Sequence, residues 1–304
     1  MAIPALRRIS QLSDRGAFIL DYPMPTWANL TYLRCNAEFS MDKPLSLAGI
    51  LRQTPRLIRL HIRLLFQPRF YGQIDDISLL NIASLTIDDY RPVGASLLLE
   101  SIYAPVLEAV RYNITQGGNA KSDALITLLK RSPNVQELSL GTPAFPETVE
   151  QYLRHCPSLR ILYIQGESRF RGASTDAQHA LLQSFVLDDP TRCLCPKLEY
   201  IRIEPILAVS LSTLLNLIRL KNGTNCHLRK WKVVVLNIRY RAPDKVLQVI
   251  DELKLEERRG DIKLQISYTQ HNDFMRNLDE GLPQPGDPVN DWWPSVIDHT
   301  TDFS

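Results

Sequence analysis

The sequence predicts an α/β solenoid, a right-handed, curved stack of repeats with parallel strands on the inner face and helices outside. Three observations carry that prediction. An apolar signature of the form φ-x-x-φ-x-φ, where φ is apolar, recurs along most of the chain. A proline often stands two residues ahead of it. Stretches with apolar residues at helical spacing separate the copies. The stretch Glu147 to Ile164 shows the unit whole. Val149, Tyr152 and Leu153 form a helical face, Cys156-Pro157 stops it, and Leu159, Leu162 and Ile164 end in a short alternating strand. One such unit cannot bury both of its apolar faces, so it needs copies on either side.

In chain order, residues 1–26 read as a cap or an incomplete repeat. Leu6, Ile9 and Leu12 have weak helical spacing, and an extended stretch from Ala17 to Leu20 leads to Pro23 and Pro25. Terminal repeats are atypical because they cover the end of the stacked core. From Trp27 the first φ of successive copies falls at Leu30, Leu57, Ile82, Leu107, Val135, Leu159, Leu198 and Leu228. The steps are 27, 25, 25, 28, 24, 39 and 30 residues, and five of the seven fit the roughly 20–29-residue period of leucine-rich repeats. The prolines are Pro55, Pro105, Pro133, Pro157 and Pro196. Helices are expected over Leu45 to Leu51, Ala124 to Lys130, Val149 to Arg154, Ala180 to Val186, Leu211 to Leu220 and Val246 to Leu255. The longest step, 39 residues, leaves room for a longer helix over Ala177 to Leu187 and a loop at Asp188-Asp189-Pro190. A strand from Ile262 to Ile266 closes the repeat domain, which spans 27–267.

From Tyr268 the character changes. The segment 268–304 has seven acids against Arg276, a net −6, so the preceding residues carry +8 of the overall +2. Pro283, Pro285, Pro288 and Pro294 interrupt it, yet it contains Trp292-Trp293. Two readings stay open, a loose terminal flap and a tail that docks on the basic body through its tryptophans.

Composition narrows the class. The chain has 304 residues, 44% hydrophobic and 22% charged, as globular proteins do. Five cysteines make an odd number and argue for a reducing compartment rather than a disulfide framework. Met1 to Ser10 has no signal-peptide core, and the longest uncharged run, Ile206 to Ile218, is too short for a bilayer that needs about 20 residues. An intracellular protein without membrane association, cytoplasmic or nuclear, is expected. The sequons at Asn29, Asn113 and Asn222 are then chance occurrences.

Four runs resemble the leucine-rich-repeat half of F-box proteins of the divergent fungal type. They are Leu51-Arg-Gln-Thr-Pro-Arg-Leu-Ile-Arg-Leu60, Leu129-Lys-Arg-Ser-Pro-Asn-Val-Gln-Glu-Leu138, Leu153-Arg-His-Cys-Pro-Ser-Leu-Arg-Ile-Leu162 and Cys195-Pro-Lys-Leu-Glu-Tyr-Ile201. Trp27-Ala-Asn-Leu-Thr-Tyr-Leu33 resembles a tryptophan-led repeat start of that group. The resemblance covers about residues 20–267. It implies a non-catalytic protein-binding module that holds a substrate protein for a ubiquitin ligase. The sequence departs from that pattern ahead of Trp27, where no Leu-Pro-x-Glu-type F-box opening is found. Binding of the ligase adaptor is therefore assigned to no residue here.

Side chains alternate along a strand, so the residues between the φ positions face the inner, concave surface. The partner-binding residues expected there are Arg34, Arg59, His61, Arg63, Arg111, Tyr163, Tyr200, Arg202, Lys230 and Lys232. Seven cations face three acids, Asp88, Glu137 and Glu204. A basic strip with tyrosines suits an acidic peptide or protein segment. Nucleic acid is the alternative for a basic strip, opposed by its sparse clustering and by the acidic tail. A free-standing scaffold without a ubiquitin role is the other.

Enzyme readings find little. Gly117-Gly118 lacks the Gly-Lys-Ser/Thr of a phosphate loop. His155-Cys156 are sequence neighbours, which is no dyad in space, and Cys156 sits at a repeat turn that suits a small buried residue. Cys193-x-Cys195 with Cys226-His227 offers four ligand-type residues in two pairs, but one intervening residue is tighter than the usual two to four, and buried structural thiols are the preferred reading. His179, His271 and His299 show no ligand spacing. No catalytic residue, cofactor or metal is expected.

Overall fold

The computed structural model describes residues 7–13, 24–37, 47–64, 76–89, 92–114, 123–141, 146–165, 174–187, 189, 192–207, 209–223, 228–239, 246–260, 262–269 and 275–277. The chain forms two compact units, Met1–Val135 and Gln136–Ser304. Both are built of parallel strands alternating with helices.

The first unit contains β1 (Arg8–Ser13), a 3₁₀ turn (Met24–Asn29), β2 (Tyr32–Ala37), α1 (Leu47–Arg52), β3 (Arg59–Leu64), β4 (Ile77–Ser78), β5 (Ser84–Asp89), α2 (Pro92–Ser101), β6 (Ile102–Tyr103), β7 (Ala109–Ile114) and α3 (Asp123–Arg131). Strands β1, β2, β3, β5 and β7 pair side by side in parallel. The short strands β4 and β6 form a second parallel pair. The first strand corrects the helical reading of Ile9 and Leu12. Both residues belong to β1, where Ile9 pairs with Leu33 and Leu12 with Cys35 across a register slip. The stretch Ala17 to Leu20 lies outside the described residues.

The second unit contains β8 (Glu137–Leu140), α4 (Pro146–Leu153), β9 (Ile161–Ile164), α5 (Thr175–Gln183), β10 (Tyr200–Leu207), α6 (Leu211–Asn222), β11 (Val233–Arg239), α7 (Val246–Gly260), β12 (Lys263–Thr269) and β13 (Met275–Asn277). Strands β8 to β12 pair in sequence order and in parallel, and β13 adds an antiparallel edge to β12. The sheet thus continues past residue 267. The rest of the tail, including Trp292-Trp293, lies outside the described residues. Pro205 sits where the β10–β11 register slips between Ile203 and Leu207, a place open to a residue with no N–H to donate.

One turn explains most of the periodicity. The amides of Leu30, Leu57, Ile82, Leu107, Val135, Leu159 and Leu198 donate to the carbonyls three residues back, on Trp27, Thr54, Leu79, Ala104, Ser132, Cys156 and Cys195. All seven of those acceptor residues are buried. The residue after each acceptor is the second of a four-residue turn, where proline's fixed φ fits and its missing N–H costs nothing. Pro55, Pro105, Pro133, Pro157 and Pro196 stand at that place.

Ahead of most strands the chain docks by a two-pronged clamp. Ile58 and Arg59 both donate to Thr31 O, Ala83 and Ser84 to Ile58 O, and Glu108 and Ala109 to Ala83 O. In the second unit Arg160 and Ile161 donate to Gln136 O, Glu199 and Tyr200 to Arg160 O, and Lys232 and Val233 to Glu199 O. Each clamp sets the register of the strand that follows.

The φ residues fill the core. Leu33, Leu60, Leu85 and Val110 align across the first sheet and are buried, as are Leu138, Leu162, Ile201, Val234 and Leu264 across the second. Helix residues such as Leu125, Leu128, Leu129, Leu214 and Ile218 are buried with them. Burial of a leucine-sized side chain contributes about 1.5–3 kcal/mol, so each copy adds several such increments.

Helices α1, α3, α4, α6 and α7 occupy the expected stretches within a few residues. Two differ. The long helix expected to reach Leu187 ends at Gln183, where Ser184 caps it and its Oγ donates to Leu181 O. Helix α2 was not expected, because Leu97-Leu98-Leu99 run consecutively and give no one-sided spacing.

Candidate functional site

Strand register places the outward side chains in rows. In the first unit one row contains Arg8, Tyr32, Arg59, Ser84 and Ala109. The next contains Arg34, His61, Thr86 and Arg111, and the third contains Arg63, Asp88 and Asn113. Arg34, Arg59, His61, Arg63 and Arg111 therefore share one sheet face, as expected. Arg63 and Arg111 are exposed, and Arg34, Arg59 and His61 are half-buried.

The sequence reading missed Arg8, which joins them because β1 extends the sheet. Its guanidinium lies 4.8 Å from the Tyr32 ring centroid, a stacked cation–π pair. Asp88 is the acid among the described outward residues of this unit. His61 Nε2 lies 2.7 Å from its Oδ2, and Asn113 Nδ2 donates to its Oδ1 at 2.6 Å. Burial alone raises the Asp88 pKa. The two hydrogen bonds and the charges of His61 and Arg111 outweigh it and hold the carboxyl below its ordinary value.

The face of the second unit is different. Tyr163 and Arg202 are neighbours across β9 and β10, with the guanidinium 4.8 Å from the ring centroid. Both donate to Glu204 Oε1, at 2.6 Å from Tyr163 and 2.7 Å from Arg202. Tyr200 aligns with Ile161 and Val233, and Arg202 with Val235. Ile161, Val233 and Val235 stand among the row positions here, alongside Arg202 and Lys263.

Lys230 and Lys232 require a correction. The eighth copy starts at Trp231, not Leu228, since Val233 aligns with Tyr200 and Val235 with Arg202. Both lysines are exposed and precede β11, outside the rows. The Arg229 that follows Leu228 stands where other turns have proline, and the Trp231 amide donates to Asn222 Oδ1 at 2.9 Å. Lys232 Nζ lies 5.9 Å from the Tyr200 ring centroid.

Sequence reading also missed Glu199, whose side chain is 4% exposed. It accepts from Arg229 Nη1 at 2.6 Å and Arg160 Nη2 at 2.9 Å, and Lys232 Nζ lies 3.4 Å away. Burial raises its pKa, and the three cations outweigh burial and keep the carboxylate ionised below the ordinary range. The cations at the lead-in to β9 and β11 are thus committed to a structural charge cluster.

Behind that sheet Lys221 is fully buried. Its Nζ donates to Phe185 O at 3.1 Å and lies 6.0 Å from the Trp231 ring centroid. Burial pushes its pKa down to about 8, with Cys193 and Cys195 opposing the shift.

The cysteines proposed for chemistry are buried. Cys156 has its pKa pushed up to about 12 by burial, so its thiolate is scarce at neutral pH. Burial also raises Cys193 and Cys195. Cys226 and His227 lie outside the described residues. Among the described residues no group of three or more His, Cys, Asp or Glu is arranged to hold a metal. No helix among them is long and apolar enough to cross a membrane. No protein-family model and no curated protein matches this chain.

Proposed function

We propose that the repeating unit is a leucine-rich repeat and that the chain is a non-catalytic protein-binding module. Its ligand is an acidic peptide segment, held on the outward strand face of the first unit. The observation that carries this reading is the charge of that face, with Arg8, Arg34, Arg59, Arg63 and Arg111 set against Asp88, both of whose oxygens are engaged. A paired sheet fixes the Cα positions of those arginines, so a partner loses little affinity to ordering them. The resemblance of the Pro-turn runs to F-box proteins supports a role in choosing substrates for ubiquitin ligation. A free-standing scaffold would use the same face.

The test is selection from a random peptide display library on the immobilised chain. Selected sequences rich in Asp and Glu, lost when Arg34, Arg59 and Arg111 are changed together to Gln, support the proposal. Enrichment of neutral or basic sequences, or selection unaffected by the triple change, overturns it.

A further inference from the structure

The second unit keeps a lysine among thiols in its interior. Lys221, at the C-terminal end of α6, is fully buried and has no carboxylate partner among the described residues. The ionisable groups that act on its charge are Cys193 and Cys195. A buried ammonium without a counter-ion is costly, and an apolar side chain would fill the same space without that cost.

Lys221 and Cys193 converge on one oxygen. Lys221 Nζ donates to Phe185 O at 3.1 Å, and Cys193 Sγ donates to the same oxygen at 3.6 Å. The flexible four-carbon stem of a lysine lets its nitrogen move from that oxygen to the neighbouring sulfur. The other two thiols turn to a different helix end, Cys195 Sγ to Leu153 O at 3.7 Å and Cys156 Sγ to Tyr152 O at 3.5 Å. The backbone nitrogen next to Cys193, on Leu194, is engaged with Ser184 O at 2.7 Å. Cys193 is also the thiol nearest to solvent, 8% exposed against 0% for Cys156 and 2% for Cys195, so a small oxidant reaches it first. Burial holds the Lys221 pKa at about 8, which leaves about half of the amine neutral and nucleophilic at that pH.

We propose that Cys193 and Lys221 form a peroxide-sensitive cross-linking site, at which hydrogen peroxide joins the sulfur to the nitrogen. The Cys193 thiolate attacks one peroxide oxygen. The S–O bond forms, the O–O bond breaks, and the departing hydroxide takes up the thiol proton as water. The Lys221 lone pair then attacks the sulfenic sulfur. The S–N bond forms, the S–O bond breaks, and the hydroxyl leaves with an amine proton as a second water. Sulfur gives up two electrons and the peroxide gains them. A thiol reductant reverses the link by attack on the sulfur. The bond closes a ring that contains all of β10 and ties α6 to the lead-in of that strand.

The experiment treats the reduced full chain with hydrogen peroxide at pH 8, blocks the remaining thiols under denaturing conditions and maps the peptides by mass spectrometry. Peptides joined through Cys193 and Lys221, short of two hydrogens and separated again by dithiothreitol, are expected as the main product at Cys193. The same pair with one oxygen inserted from a second peroxide also supports the site. Lys221→Met should lose the link entirely, and its Cys193 should be trapped by dimedone as sulfenic acid. Cys193→Ser should lose the link as well.

Sulfinic acid at Cys193 with Lys221 unmodified in the parent overturns the proposal. So does a disulfide from Cys193 to another cysteine as the main product, or a link that persists in Lys221→Met. Recovery of Cys193 as a free thiol, under peroxide that oxidises free cysteine to completion, overturns it too.

Discussion

The two units present the same kind of parallel strand face and use it in opposite ways. In the first, the outward rows carry five arginines and one engaged acid. In the second, four of the described cations near the sheet are engaged by acids. Arg202 is held by Glu204 and Tyr163, and Arg160, Arg229 and Lys232 surround Glu199. Counting lysines and arginines along the sequence gives both faces similar charge. In the second the pairing joins residues far apart in the chain, such as Arg160 and Arg229 with Glu199. A cluster of that kind fixes the shape of its face, and a face rich in arginine attracts anions over a distance.

The strongest way to break this contrast is at Glu199. Glu199→Gln puts a neutral amide among three partly exposed cations and should cost the second unit about 3 kcal/mol, the scale of lost hydrogen bonds to a charged group. Denaturant unfolding followed by backbone circular dichroism reads the loss. The same contribution depends on pH with a definite sign. The folded pKa is depressed, so the stabilisation is present above the unfolded carboxylate pKa and is lost as pH falls through the lower folded value. In the Gln variant that acid-side slope should shrink.

Next in size is Lys221, and here the effect is a gain. A buried ammonium with a pKa near 8 against an ordinary 10.5 is penalised at neutral pH. Lys221→Met should raise stability at pH 7 by about 2–3 kcal/mol. In the parent, the unfolded Lys221 binds more protons between pH 8 and 10.5, so the contribution of this residue rises with pH across that window. The buried thiols of Cys156, Cys193 and Cys195 pull the other way above pH 9 in both proteins, so unfolding measured at pH 7 and pH 10 should show a gap between variant and parent that narrows as pH rises.

In the first unit Asp88→Asn leaves one acceptor oxygen for the two groups that share the carboxylate, His61 and Asn113, and should cost about 1–2 kcal/mol. It also raises the positive charge of the face, so acidic peptides should bind more tightly to this variant than to the parent at low salt. Binding measured at two salt concentrations separates the two effects. The smallest change sharpens the comparison from the other side. Tyr163→Phe removes one hydrogen bond to Glu204 and should cost about 1 kcal/mol, read by thermal unfolding. It should leave capture of acidic peptides unchanged, because Tyr163 belongs to the neutralised face.

Much of the fold was legible because the turn repeats its chemistry. Seven copies were in phase, and each has the i to i+3 turn bond ahead of its strand. The eighth slipped by three residues because its turn lacks proline and Trp231, Val233, Val234, Val235 and Leu236 offer apolar choices at nearly every position. Strand β1 was mistaken for helix because Ile9 and Leu12 stand three apart, a spacing that a register slip also produces. The face of the first unit was readable from alternation alone. The role of Glu199 was not, since Arg160 and Arg229 lie 39 and 30 residues away in the chain. Nothing in local pattern reports a pair of that kind.

The clamp ahead of most strands has an evolutionary consequence. It fastens the chain at one carbonyl per copy and makes no demand on the length of the path that returns to it. The excursion before Leu198 is 39 residues and the one before Leu159 is 24, yet Tyr200 and Ile161 engage their neighbours in the same manner. Insertions, deletions and exchanged helices on the far side are thereby uncoupled from the presented surface. Lineages descending from such an ancestor could diverge widely in length and composition while the outward strand residues keep step.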